Sequence, residues 1–152
     1  MHAHFPTINY LAVLVAGIVI FVLGGLWYSP VLFAKRWIAL QGRTEEQMRA
    51  QAASANMPVM YASAFITSLL IAFTLALILA HIARDPAMAE PAGGISAAHG
   101  AIIGFMCWLG FAATTSYATA LFSGKPRQLW LIDTAYNLVS FVLAGIILAV
   151  WR

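Results

Sequence analysis

The sequence predicts an all-α, polytopic membrane protein with four transmembrane helices. Three observations predict it. Of the 152 residues, 62% are hydrophobic and 9% charged, where a soluble domain carries about a quarter charged residues. Eight Lys and Arg with five Asp and Glu cannot cover a water-soluble globule of this size, so lipid must cover it. Next, four apolar stretches span residues 8–26, 59–82, 95–122 and 129–151. Each reaches the ~20 residues that cross a ~30 Å hydrocarbon core at 1.5 Å per residue. Finally, the stretches lack the alternation of barrel strands, and backbone groups in lipid must pair within their own segment, so they are helices. The whole chain, residues 1–152, reads as one four-helix domain with little soluble mass.

The first helix, 8–26, is expected to stay as an anchor. Its N-terminal flank lacks the positive region of a signal peptide, and it runs into Trp27-Tyr28-Ser29-Pro30 instead of a small-residue cleavage site. Residues 27–58 form the first loop. In it Val31, Leu32, Phe33, Trp37, Ile38 and Leu40 intermix with Lys35 and Arg36, a pattern for a short helix in the headgroup region. After Gly42, Thr44 and Gln47 have capping-box spacing, which predicts a second short helix over 45–55. Pro58 then suits the first turn of the second transmembrane helix. That helix, 59–82, confines Ser63, Thr67, Thr74 and His81 to one face. The second loop, with Asp85-Pro86 and Pro91 to Gly94, reads as an irregular turn.

The third helix, 95–122, carries Gly100 and Gly104 at the spacing that lets helix backbones approach closely, with Gly110, Ala144 and Gly145 extending such surfaces. That spacing leaves open whether the partner is in the same chain or a second copy. Thr114, Thr115, Ser116, Tyr117 and Thr119 lie at the depth of Asp133 and Asn137 on the fourth helix, 129–151. These groups could converge. Tyr28 to Phe33 before Lys35 is echoed by Tyr117 to Phe122 before Lys125, as a duplicated hairpin would require.

Charge sets the expected orientation. Lys35, Arg36, Arg43 and Arg49 lie in loop one and Lys125 and Arg127 in loop three, against Arg84 and Arg152 elsewhere. The positive-inside rule then places loops one and three in the cytoplasm and both termini outside, in a cell (inner) membrane. Trp27, Tyr28, Trp37, Tyr61 and Trp130 fall at the expected inner interface, and Tyr10 and Trp151 at the outer one. The basic residues form no run or aromatic-basic motif, so nucleic acid is not an expected partner. Membrane lipids are, with anionic headgroups drawn to loop one. The single cysteine, Cys107, excludes an intrachain disulfide framework and a multi-cysteine metal cluster.

The run Gly25-Leu-Trp27-Tyr28-Ser29-Pro30-Val-Leu-Phe33-Ala-Lys35-Arg-Trp37 resembles the W-Y-x-P-x-x-F-x-K-x-W signature of a family of small bacterial and fungal integral membrane proteins, catalogued only as a domain of unknown function. The segment Asp133-Thr-Ala-Tyr136-Asn137-Leu-Val, with Gly145 and Trp151 beyond it, is similar to that family's last helix. The resemblance covers nearly the whole chain. It implies a four-helix membrane protein and supplies no activity. Where the family often has His after the Tyr of the last helix, this chain has Asn137, a departure that puts in doubt any metal or proton role the resemblance would imply at that position.

An ionisable group in hydrocarbon costs ~2.5–3.5 kcal/mol even on insertion scales, so it is a functional candidate by default. Asp133 is the one acid within the apolar spans, ~6 Å below the expected interface. Asn137 and Ser140 share its face of the helix. Asp133, Asn137, Tyr136, Tyr117 and Ser140 are therefore the candidate ligand-binding residues. The competing reading is structural: hydroxyls and amides bridge helices, and Asp133 snorkels or pairs with Arg127. His2, His4, His81 and His99 all fall on the expected outer side, where imidazoles could bind zinc or copper, yet His2 and His4 belong to the terminus and only Asp85 or Glu90 lies near, so a metal site is not the expectation. No catalytic residue or cofactor is expected either.

Four helices make a thin bundle, so a homo-oligomer is expected. Three functions fit. The first is a non-enzymatic bundle whose polar intramembrane pocket binds or moves a small solute, ion or lipid headgroup. The second is a membrane-embedded enzyme acting on a lipid or quinone with Asp133 as acid or base. The third is a structural or accessory subunit without a site. No nucleophile–base pair or nucleotide loop supports the enzyme.

Overall fold

The computed structural model describes residues 7–85 and 95–151. Among the described residues the chain is all helical: α1 (Tyr10–Trp27), α2 (Ala34–Leu40), α3 (Glu45–Ser54), α4 (Met57–Ile82), α5 (Ala97–Phe122) and α6 (Arg127–Val150). Helices α1, α4, α5 and α6 are each long and apolar enough to cross a membrane. The chain is a multi-pass membrane protein, as its composition requires.

The transmembrane helices begin where a polar side chain can satisfy the first backbone donors. Asn9 accepts from the amides of Leu11 and Ala12 at 3.0 and 3.1 Å, Asn56 accepts from Val59 at 3.3 Å, and Ser96 accepts from His99 at 3.2 Å. Each moves a boundary by about two residues from the apolar stretch itself, because a cap outranks hydropathy at a helix end. Pro58 sits in the first turn of α4 as expected. The capping box opening α3 forms in both halves: Thr44 Oγ1 accepts from Gln47 at 3.2 Å, and the Thr44 amide donates to Gln47 Oε1 at 3.0 Å. Gly42 turns the chain from α2 to α3 with φ +66°, which a side chain at that position would resist.

Two local features differ from expectation. The interfacial helix begins at Ala34, not Val31, because Pro30 lies in a turn. There Ser29 Oγ donates to the Leu26 carbonyl at 2.7 Å, and the amides of Leu32 and Ala34 donate to the Ser29 carbonyl at 3.1 and 3.2 Å. The echo of Tyr28 to Phe33 in Tyr117 to Phe122 is consequently one of sequence, since the first copy is this turn and the second is regular helix. The other feature is a π-helical turn over Trp108–Ala113 inside α5. Just beyond it, the hydroxyls of Thr114 and Thr115 donate to the carbonyls of Gly110 and Phe111, side-chain bonds available to carbonyls whose backbone ladder is widened.

Helix α6 packs against all three other spans, most extensively against α5. A Cβ at Gly100 would overlap the Gly145 carbonyl, and one at Gly104 would overlap the Phe141 carbonyl. The close-approach surface of α5 is thus met by α6 of the same chain. Alanines serve the same end at Ala12, Ala16, Ala72 and Ala144, all essentially inaccessible, with Ile20, Leu75, Leu79 and Leu148 filling the space between. The outward faces carry Leu14, Ile18, Val22, Ile66, Leu70, Ile102 and Leu131, suited to acyl chains. The antiparallel spans bring α2, α3 and the α5–α6 turn to one end of the bundle. Thr7, Ala80 and Trp151 meet at the other end.

Candidate functional site at Asp133

Asp133 lies in the second turn of α6, ~9 Å along the axis from Arg127. Its Oδ1 accepts two side-chain hydrogen bonds, from the Tyr28 hydroxyl at 2.8 Å and from Trp37 Nε1 at 2.9 Å. Neighbouring groups secure the same stretch. Trp27 Nε1 donates to the Ile132 carbonyl at 3.1 Å, Trp108 Nε1 to the Thr134 carbonyl at 3.0 Å, and Asn137 Nδ2 to the Asp133 carbonyl at 3.1 Å. Three residues of one α6 turn thus take indole or phenol donors from α1, the Tyr28 turn, α2 and α5. The Tyr28–Pro30 turn is what allows this: it reverses the chain so that α2 lays Trp37 over α6 while Tyr28 reaches the same oxygen.

The donors are themselves packed. Tyr28 lies edge-on to Trp37 and Tyr136, with ring centroids 5.3 and 5.6 Å apart, and Trp27 packs on Phe33 at 4.9 Å. The Tyr136 hydroxyl donates to the Ile20 carbonyl of α1 at 3.2 Å. Tyr28 stands just beyond the end of α1, and burial pushes its phenol above the ordinary tyrosine range. Its hydrogen bond to Asp133 and the carboxylate's charge push in the same direction. The group is therefore a proton-bearing donor across the physiological range.

Asp133 also lines an open cleft of about 740 Å³ at the α2–α3 end, within the range of small-ligand sites. Trp37 and Leu40 of α2, Met48 and Ala52 of α3, Met57 and Met60 of α4, and Leu129 give it apolar walls. Arg43 and Lys125 stand on it as cations, and Arg43 donates to Gln51 Oε1 at 2.5 Å. Among the described residues no cation pairs with Asp133, and Arg127 is exposed. The indole and the phenol have taken the place offered to Arg127.

The five residues singled out from the sequence do not share one chamber. Asp133 faces the cleft. Asn137 ties its amide to the helix behind Asp133, Tyr136 joins α6 to α1, and Ser140 is buried on the same helix two turns deeper. Tyr117 lies apart, edge-on to Trp130 at 5.0 Å and half exposed. Nor do the hydroxyls of α4 and α5 converge on Asp133. Thr67 and Ser68 donate to the Ala64 carbonyl, and Thr119 to that of Thr115, because an intrahelical carbonyl is always within reach. Ser116 alone of the α5 group bridges helices, accepting from Trp130 Nε1 at 3.1 Å. Sequence reasoning missed Tyr28 and Trp37 as partners of Asp133 by reading them as an interfacial belt.

The histidines stand elsewhere. His99 Nδ1 lies 2.8 Å from Ser96 Oγ, and His81 Nδ1 lies 2.7 Å from the Leu77 carbonyl. Among the described residues no three His, Cys, Asp or Glu side chains form a metal-binding group; His2 and His4 lie outside them.

The residues that build this centre span the chain from α1 to α6, and so does a family match: the model of a protein family of unknown function, DUF1761, covers residues 11–149. The chain belongs to the DUF1761 family. No curated protein and no solved structure matches it. In this DUF1761 protein the tryptophan–tyrosine run near the first helix and the acidic turn of the last helix are two halves of one hydrogen-bonded unit.

Proposed function

We propose that this protein is a non-enzymatic membrane bundle whose Asp133 cleft binds a small solute, ion or lipid headgroup. One observation carries the reading: a partly buried carboxylate, held through one oxygen by Tyr28 and Trp37, lines a cleft of ligand size without a cation partner among the described residues. An acid near a bilayer is costly unless it is used or neutralised, and the two groups that bond Asp133, a phenol and an indole, are neutral donors. Tyr136 and Asn137 act here as positioning residues. Tyr136 packs against Tyr28, and Asn137 bonds the Asp133 backbone. Ser140 continues the same helix face inward, and Tyr117 braces Trp130 at the neighbouring turn.

The α2–α3 end is assigned to the cytoplasm of a cell (inner) membrane, since Lys35, Arg36, Arg43, Arg49, Lys125 and Arg127 all belong to it. Exposed Lys35 and Arg36 then face an anionic leaflet, each worth about 1 kcal/mol near the surface. A homo-oligomer formed through the outward apolar faces is compatible with this arrangement. The decisive experiment titrates the purified chain with ethanolammonium and follows tryptophan fluorescence, since Trp37 bonds the carboxylate directly. A saturable change that Asp133→Asn removes supports the site. Equal responses from both proteins reject it.

A further inference from the structure

The cleft has three chemically distinct parts. Asp133 supplies an anion, Arg43 and Lys125 supply cations, and Leu40, Met48, Met57, Met60 and Leu129 supply an apolar wall. Carboxylate and cations on one cleft, with no ion pair of Asp133 to either cation, match a ligand that itself carries both signs. The cleft also lies where α4 and α6 begin, at headgroup level for helices that span a bilayer. Methionine suits the wall, because its flexible thioether adapts to a chain of variable shape.

We infer that the cleft receives a zwitterionic phosphate–ammonium headgroup of a membrane lipid, its ammonium on Asp133 and its phosphate on Arg43 and Lys125. The inference rests on the binding function proposed above and adds the class of ligand. A primary ammonium can donate to the carboxylate as a charge-assisted bond. Arg43 offers a planar fork for a phosphate, and Lys125 offers a mobile point charge. Helix α3 forms one wall through Met48 and Ala52, yet no residue of α3 is buried, so that wall has room to settle on a bound lipid.

The test uses the purified full-length chain in detergent, titrated with short-chain phosphatidylethanolamine, short-chain phosphatidylglycerol, soluble phosphoethanolamine and ethanolammonium, with bound ligand read by native mass spectrometry. The expected result is phosphatidylethanolamine binding at least about tenfold tighter than phosphatidylglycerol, as one lost charge-assisted bond implies. Asp133→Asn should erase that preference. Arg43→Gln and Lys125→Gln, at exposed positions that cannot upset the core, should weaken both phosphate-bearing lipids while sparing ethanolammonium. Phosphoethanolamine binding as tightly as the lipid would keep the zwitterion and make its source soluble. Equal affinity for the two lipids, or a preference that survives Asp133→Asn, overturns the inference. Ethanolammonium binding through Asp133 without any lipid preference would sink the headgroup assignment and leave the binding function standing. If no probe depends on Asp133, both fall.

Discussion

Tyr28 and Asp133 stand 105 residues apart and share a hydrogen bond of 2.8 Å. It joins the end of the first span to the last one, and it is made by a phenol that burial and the carboxylate keep protonated. The sign of its pH dependence follows. A folded-state value above the ordinary 10.0 means the contribution is whole below pH 10 and is lost as pH rises through the raised value. Tyr28→Phe is expected to lower stability by about 1–2 kcal/mol at neutral pH, the hydrogen bond being only partly shielded. Equilibrium unfolding in detergent measures it, and the gap should narrow only in strong alkali. A gap that closes near neutrality would show that the bond is not holding the fold.

The spans were legible in the sequence because lipid imposes length and hydropathy on every crossing helix, and the Thr44 capping box was legible because its partners are three residues apart. Long-range chemistry was not. A tryptophan near an interface satisfies the same composition rule whether its indole faces lipid headgroups or donates to Asp133, so Trp37 was indistinguishable from a belt residue. The α5 hydroxyls misled for the opposite reason: depth placed them beside Asp133, while rotation about the helix and nearby carbonyls decided where Thr114 and Thr119 bond. The missing signal lay in the spacing of one short run, since Trp27, Tyr28 and Trp37 stand within eleven residues of each other and all three donate to residues 132–133 of the last helix.

The contact between Gly100 and Gly145 predicts a sharp positional effect. Alanine at either site would meet the facing backbone carbonyl, and two packed spans cannot both shift without opening the Ala144–Leu148 core. Gly100→Ala and Gly145→Ala should each cost about 1–3 kcal/mol. Gly25→Ala has open space around it and should be neutral or stabilising. Thermal unfolding of the three variants checks the order, and equal behaviour of all three would place the α5–α6 contact elsewhere.

Orientation gives a prediction that needs no ligand. Ser54, exposed at the end of α3, belongs to the end with six of the eight basic residues, and Gly93, outside the described residues, falls in sequence between α4 and α5. Ser54→Cys should resist an impermeant thiol reagent in intact cells, while Gly93→Cys should react. Both should react after permeabilisation. The native Cys107 is buried within α5 and serves as background. Reaction at residue 54 alone would invert the assignment.

Asp133 separates the functional reading from the structural one, because two substitutions remove different properties. Asparagine keeps an acceptor oxygen for Tyr28 and Trp37 and deletes only the charge. Leucine deletes the acceptor as well and strands a phenol and an indole, each partly buried. If the carboxylate only braces the fold, Asp133→Asn should stay near wild-type stability and Asp133→Leu should lose about 1–3 kcal/mol for each stranded donor. If the charge serves a ligand, Asp133→Asn should retain its unfolding midpoint yet lose ethanolammonium binding. The combination is what discriminates: stability follows the acceptor, and binding follows the charge. An Asp133→Leu protein as stable as wild type and still binding would mean that neither property matters at this position, leaving a packed bundle without a site.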